Sequence, residues 1–264
     1  MQTRINAWVA WLSALVFTFV CQAQLARACP TTTQLSAAIA GLDARVEAAQ
    51  QRDELLRDRT LAAGPDAAPG ERDDQLVALA DCLLERRDPG FVRARAAGEP
   101  EFSAWLARVF SSASDARLLL SAATAYLAVP IGSGRLEVDT WIDVPMLKAM
   151  LRRSAELAPA QDGARALMQL GALDCALPPL VGGRPQAGIS QLERAVALTR
   201  RENLAVQLTM AERCAVTSND RSLFVRLLDE IAKAPVGVPY ARGNEIAKQR
   251  AHHLLEHADV LFPD

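Results

Sequence analysis

The stretch PMLKAMLRRSAELAP, residues 145–159, decides the fold. Leu147, Leu151, Ser154 and Leu157 recur at i, i+4, i+7 and i+10, so they share one stripe of a helix. Pro159 ends that helix, because proline lacks the amide hydrogen and the room that another turn requires. The same spacing returns at Gly188, Leu192, Ala195 and Leu198, behind a helix over Ala164–Ala176 that carries Leu170-Gly171. Short helices that follow one another in pairs, with two tandem copies of this stripe, predict a repeat architecture of stacked helix pairs.

Working outward, the periodicity predicts helices over about Val144–Leu157, Ala164–Ala176, Gln186–Thr199, Asn203–Thr217, Asp220–Ala234 and Asn244–Phe262. Upstream, Leu35, Ile39, Leu42, Val46 and Ala49 form the stripe of a helix running to about Leu61, which Gly64–Gly70 terminates. Leu76, Leu79, Ala80, Leu83 and Leu84 form another, stopped by Asp88-Pro89-Gly90, and a third covers Phe102 to about Phe110. From Ser111 the pattern continues through Leu118 to Val129, where Pro130 and Gly132-Ser133-Gly134 interrupt it. Leu136–Val144 alternates apolar and polar residues, but a lone strand has no partner, so it reads as a loop leading into the helix after Pro145. The tetratricopeptide spacing A-x3-F-x2-A-x2-L-x-P is met loosely by both copies, with the loop Pro178–Gly183 inserted in the second. The expected class is therefore all-α, a tetratricopeptide-like α-solenoid of antiparallel helix pairs.

Composition agrees. Half of the 264 residues are apolar while only 5% are aromatic, and Ala and Leu dominate, which favours helices with a substantial core. A net charge of −2 with no basic stripe gives no footprint for nucleic acid.

The N-terminus reads as a cleaved signal peptide over 1–28. Arg4 precedes the apolar run Ala7–Val20, too short to span a bilayer comfortably, and Ala26-Arg27-Ala28 is a small-x-small cleavage site, with Ala23 the alternative. Periplasmic export is the expectation. Cys29 would head the mature chain and raises a lipid anchor, but the lipobox is poor, since Ala26 stands where leucine is usual. The chain then divides into an N-terminal helical hairpin region, 29–110, and helical repeats over 111–264, expected to form one continuous domain. Cys29, Cys82, Cys175 and Cys214 make an even set in an oxidising compartment, which suggests two disulfides with three pairings formally open. Cys175 and Cys214 fall late in helices that should be parallel neighbours, which favours Cys175–Cys214 and leaves Cys29–Cys82.

The second half resembles a particular family. The 145–159 stretch, Leu170-Gly171, Pro178-Pro179, Gly182-Gly183 and Leu192 before Ala195 and Leu198 come first. Ala211–Val216, Asn219-Asp220-Arg221 with Phe224, Leu227 and Leu228, and then Asn244 with Arg250-Ala251, Leu254-Leu255 and Leu261-Phe262 follow in order. Together, from about Ser111 to Phe262, they resemble the T component of tripartite ATP-independent periplasmic (TRAP) transporters. The resemblance implies a non-enzymatic periplasmic protein that binds the solute-binding P subunit, holds an apolar ligand in a crevice or pore, and forms a homo-oligomer, a trimer. It departs at Arg184, where an acidic residue usually follows the double glycine.

His253 and His257 are spaced i, i+4 and could share a metal, with His252 and Glu256 the neighbouring pair, but HExxH order is absent and a solvated cluster near a helix C-terminus is the favoured reading. No metal and no cofactor is expected. Gly182-Gly183 reads as a turn needing positive φ, Asp220 as the cap of the helix beginning at Arg221, and Asp174 as a partly buried carboxylate near Arg213 or Arg165. Gly132-Ser133-Gly134 meets Glu137 where a dinucleotide loop needs its third glycine, and no G-x-S-x-G elbow or phosphate loop occurs. No enzyme activity is expected. An envelope-assembly adaptor and an exported metal-dependent hydrolase are the competing classes, because fold alone does not fix function.

Overall fold

The computed structural model describes residues 31–38, 40, 71–133, 138–160 and 162–263. The expected leader 1–28, Cys29 and most of the first expected helix lie outside these. Glu71–Arg87 forms α1, Phe91–Ala97 α2, Glu99–Val109 α3, Ala113–Ser133 α4, Val138–Leu157 α5 and Gly163–Ala176 α6. After a 3-10 turn over Pro179–Val181 come α7, Pro185–Leu198, and α8, Leu204–Thr209, which continues as a π-helical turn over Met210–Ala215. Arg221–Lys233 forms α9, Ala241–Glu256 α10 and Ala258–Leu261 α11. Among the described residues there is no strand, so the chain is all-α. No described helix is long and apolar enough to cross a membrane.

Consecutive helices pack as neighbours, α4 on α5, α5 on α6, α6 on α7 and α9 on α10. Skip-one contacts, α3 with α5 and α8 with α10, add the third partner that stacked helix pairs require. The apolar residues sort into two clusters. The first gathers Phe91, Phe102, Trp105, Phe110, Leu119 and Leu151, and the N-terminal Leu35 packs into it. The second gathers Leu192, Leu204, Met210, Phe224, Leu228 and Ile231. Helix α6 belongs to both, giving Ala166 and Leu170 to the first and Leu167 and Cys175 to the second.

Local chemistry explains the ends. Ser112 and Asp115 form a reciprocal cap at the start of α4: the Asp115 amide donates to Ser112 Oγ at 3.3 Å, while Asp115 Oδ2 accepts from the amides of Ser111 and Ser112, each at 3.0 Å. Arg87 at the end of α1 adds Nε to Asp115 Oδ1 at 3.3 Å. Burial alone would raise this carboxyl, but the hydrogen bonds from Ser112, Ser111 and Arg87 outweigh it and hold it below the ordinary aspartate value. Ser154, the polar member of the deciding stripe, is fully buried and donates its hydroxyl to Ala116 O at 2.8 Å, so α5 places it against α4 at no cost in unpaired groups.

Several boundaries differ from expectation. Helix α4 runs past position 130 to Ser133, and α5 starts at Val138 with Pro145 inside it, so the segment ending at Val144 is helix and not the expected loop. Proline forfeits one hydrogen bond within a helix, yet Val144, Met146 and Leu147 around it are buried, and that burial outweighs the loss. Helix α2 was not foreseen, and α3 begins at Glu99 instead of Phe102. The expected helix over Asn203–Thr217 turns π-helical at Met210, and the expected last helix breaks at His257.

Candidate functional site

The inserted loop between α6 and α7 is where sequence and structure diverge most from a plain helix pair. Its glycines serve different needs. Gly182 has φ +89, a left-handed conformation that side chains disfavour. At Gly183 an added Cβ would overlap the carbonyl of Leu177, so this residue is held by space instead. The tip carries Leu180, 99% exposed, the most exposed large apolar side chain among the described residues. Water disfavours such a side chain unless another surface covers it.

The loop is latched to the core. Lys148 of α5 is 4% exposed and pairs with Asp174 of α6, 2% exposed, and its Nζ also donates to Gly182 O at 2.6 Å. Gln191 of α7 donates Nε2 to the other Asp174 oxygen at 3.1 Å, and the Arg184 amide donates to Asp174 O at 2.8 Å. Three helices therefore meet on one carboxylate, and the loop is tied to the same pair through Lys148 Nζ and the Asp174 backbone carbonyl. Asp174 was expected near Arg213 or Arg165; its partner is Lys148. Residues 144, 148, 151, 155 and 158 form a stripe of their own, and a lysine on it was the available signal, masked by the charged pair Arg152-Arg153 that follows.

Beneath the loop, α6 and α7 approach closely. A Cβ on Gly171 would lie 2.7 Å from Leu192 Cγ and 2.8 Å from Gly188 O, and one on Gly188 would lie 2.6 Å from Cys175 Sγ. Cys175 is joined by a disulfide to Cys214 of the π turn. Cys82 is disulfide-bonded as well, and Cys29, its expected partner, lies outside the described residues.

The remaining motif residues fix the C-terminal end. Asp220 caps α9, accepting from the Leu223 amide at 2.9 Å and the Ser222 hydroxyl at 2.8 Å, bonds that pull its carboxyl below the ordinary value. Arg221 pairs with Asp259, and Phe224 stacks on Phe262 with ring centres 5.0 Å apart. Asn244, 1% exposed, accepts from the Leu204 amide at 3.0 Å and donates to Glu202 O at 2.7 Å, clamping the turn in which Arg200 and Arg201 are left-handed. That turn borders an open cleft of about 780 Å³ lined by Arg200, Leu204, Gln207, Lys233, Ala234 and Val238 among others. The Gln207 Oε1 beside it is buried without a hydrogen-bond partner.

The histidines do not share one helix. His252 and His253 lie in α10, while His257 is its C-cap and the N-cap of α11. The rings of His253 and His257 are 4.4 Å apart, and these two with Glu256 bring one ligand-type atom each within 4.8 Å of the others.

Residues 76–262 match the family model described as TRAP transporter T-component. No curated protein matches the chain.

Proposed function

The chain belongs to the TRAP transporter T-component family, and from that membership we propose that it is a non-enzymatic, exported accessory component that docks on the transporter's solute-binding P subunit. The family match is the observation that carries this reading. The latched loop is the surface we assign to the contact. An apolar tip on a loop fixed by a buried ion pair loses little conformational entropy on docking, which is how a single side chain becomes a strong anchor. A small ligand with an apolar body and a hydrogen-bond donor is assigned to the cleft beside Gln207, whose oxygen lacks a partner. Assembly into a homo-oligomer, a trimer, and attachment through Cys29 belong to the same proposal.

The test is affinity capture of the protein from its own envelope extract, with identification of the proteins and small molecules recovered. The expected result is a solute-binding protein, with its recovery reduced about tenfold or more by Leu180→Asp at unchanged thermal stability. Recovery of envelope-assembly proteins alone would overturn the transport role in favour of an adaptor. Undiminished capture by the Leu180 variant would move the contact elsewhere on the helical surface.

A further inference from the structure

We propose that His253, Glu256 and His257 form a binding site for a late first-row divalent metal ion, zinc being the type case, at the corner where α10 gives way to α11. The site is separate from the latched loop and does not rest on the transport reading. Spacing alone yields an i, i+4 histidine pair, which solvated helices often carry without function. The corner adds what spacing lacks.

First, the tautomer of His257 is fixed in the productive sense. Its Nδ1 lies 2.8 Å from His253 O, and because a carbonyl can only accept, Nδ1 carries the proton. The lone pair is thereby left on Nε2, free for a metal, in the arrangement that metal-bound imidazoles adopt when their other nitrogen donates to a carbonyl.

Second, the ring is not on a fraying end. The His257 amide donates to Leu254 O at 3.3 Å, and its carbonyl accepts from Val260 at 3.1 Å and Leu261 at 3.3 Å. The turn beyond is pinned by Phe262, 5% exposed and stacked on Phe224, and by the Arg221–Asp259 pair. His253 is half-buried and equally anchored within α10.

Third, the field favours a cation. The C-terminal end of α10 carries the partial negative charge of its aligned peptide dipoles, Glu256 supplies a carboxylate, and Asp259 stands on the next turn. Two imidazoles and one carboxylate are a donor set for zinc, nickel or copper and not for magnesium or calcium, which take oxygen. Tetrahedral bonding needs donors about 3.3 Å apart, so the exposed Glu256 side chain swings inward on binding. A fourth position is left open to water or to a donor from another molecule.

Titration of zinc chloride into the tag-free, disulfide-intact chain, followed by calorimetry, tests the assignment. The expected result is one saturable site, weakened at least about tenfold by His253→Ala or His257→Ala and also by Glu256→Gln, with helicity unchanged in each variant. His252→Ala, on the exposed face one residue away, should bind as the parent does. Absence of saturable binding in the parent chain, or parent-like binding in the His253→Ala, His257→Ala double variant, would overturn the proposal. So would a loss with His252→Ala equal to that of its neighbours, since the donors would then be misassigned.

Discussion

The two apolar clusters reach cohesion by opposite means. In the first, bulky rings fill the space between helices: Phe91, Phe102, Trp105 and Phe110 form a chain of aromatic contacts with centres 5.3 to 6.3 Å apart. In the second, the main join is made by removing side chains, since Gly171 and Gly188 let α6 and α7 touch nearly backbone to backbone, and a disulfide then fixes the contact. A join of volumes can give a little when a side chain changes shape. A join of backbones cannot, because a helix is stiff and has no rotamer to adjust. The seam between the two is Lys148 and Asp174.

The largest effect should come from breaking that seam. Lys148→Ala strands a buried carboxylate and is expected to destabilise the protein by about 3–5 kcal/mol, measured by urea unfolding. The double variant Lys148→Met, Asp174→Leu should recover most of the loss, because the penalty lies in the unpaired charge. If the single and double variants unfold alike, the pair is not what holds the seam.

Next in size is the covalent half of the contrast. Joining residues 39 apart removes unfolded-state freedom worth about 4 kcal/mol in the chain-entropy model, so Cys175→Ala with Cys214→Ala should lower the denaturant midpoint markedly. The packing contrast itself is sharper though smaller. Gly171→Ala, which adds one methyl, should cost about 1–3 kcal/mol, whereas Leu119→Met in the first cluster should cost under about 1.5 kcal/mol. The reverse order in thermal unfolding would erase the distinction drawn between the clusters.

Smallest is the acid response of the first cluster's cap. Asp115 has a folded value below its unfolded one, so its contribution is fully present above the unfolded value and is lost as pH falls through the folded one. The stability of the parent chain should therefore drop below about pH 4 more steeply than that of Asp115→Asn, which has no such group to titrate. Parallel acid profiles would show that the cap contributes nothing through its charge.

Much of the fold was legible because its signals are local and periodic. The stripe of 145–159 gave α5 its C-terminal end, Gly182 announced a left-handed turn, and the places of Cys175 and Cys214 late in neighbouring helices brought them side by side. What could not be read was decided by burial from outside the segment. Pro130 and Pro145 look like breaks to any local rule, yet α4 and α5 run past them, and around Pro145 it is the burial of Val144, Met146 and Leu147 that a local rule cannot see. Lys148 lay unseen for the same reason, since a lysine is ordinarily a surface residue and its carboxylate partner is 26 residues away. Of the candidate positions, Asp220 as a cap followed from its place before a helix, while Asn244 offered no hint that it clamps a turn 40 residues upstream. The histidine pair was legible from its spacing, but the corner at His257 was not, because periodicity runs smoothly through it although the helix stops there.

The disulfide between Cys175 and Cys214 closes a covalent ring that contains the whole exposed loop, α7 and the turn beyond it. A protease that finds Leu180 at the loop tip would cut the chain without releasing anything. Both pieces stay tethered through sulfur, run as one band until a reductant is added, and keep α6 and α7 within reach of each other. In an oxidising compartment the loop can be offered freely to other molecules, because the ring makes a nick there survivable.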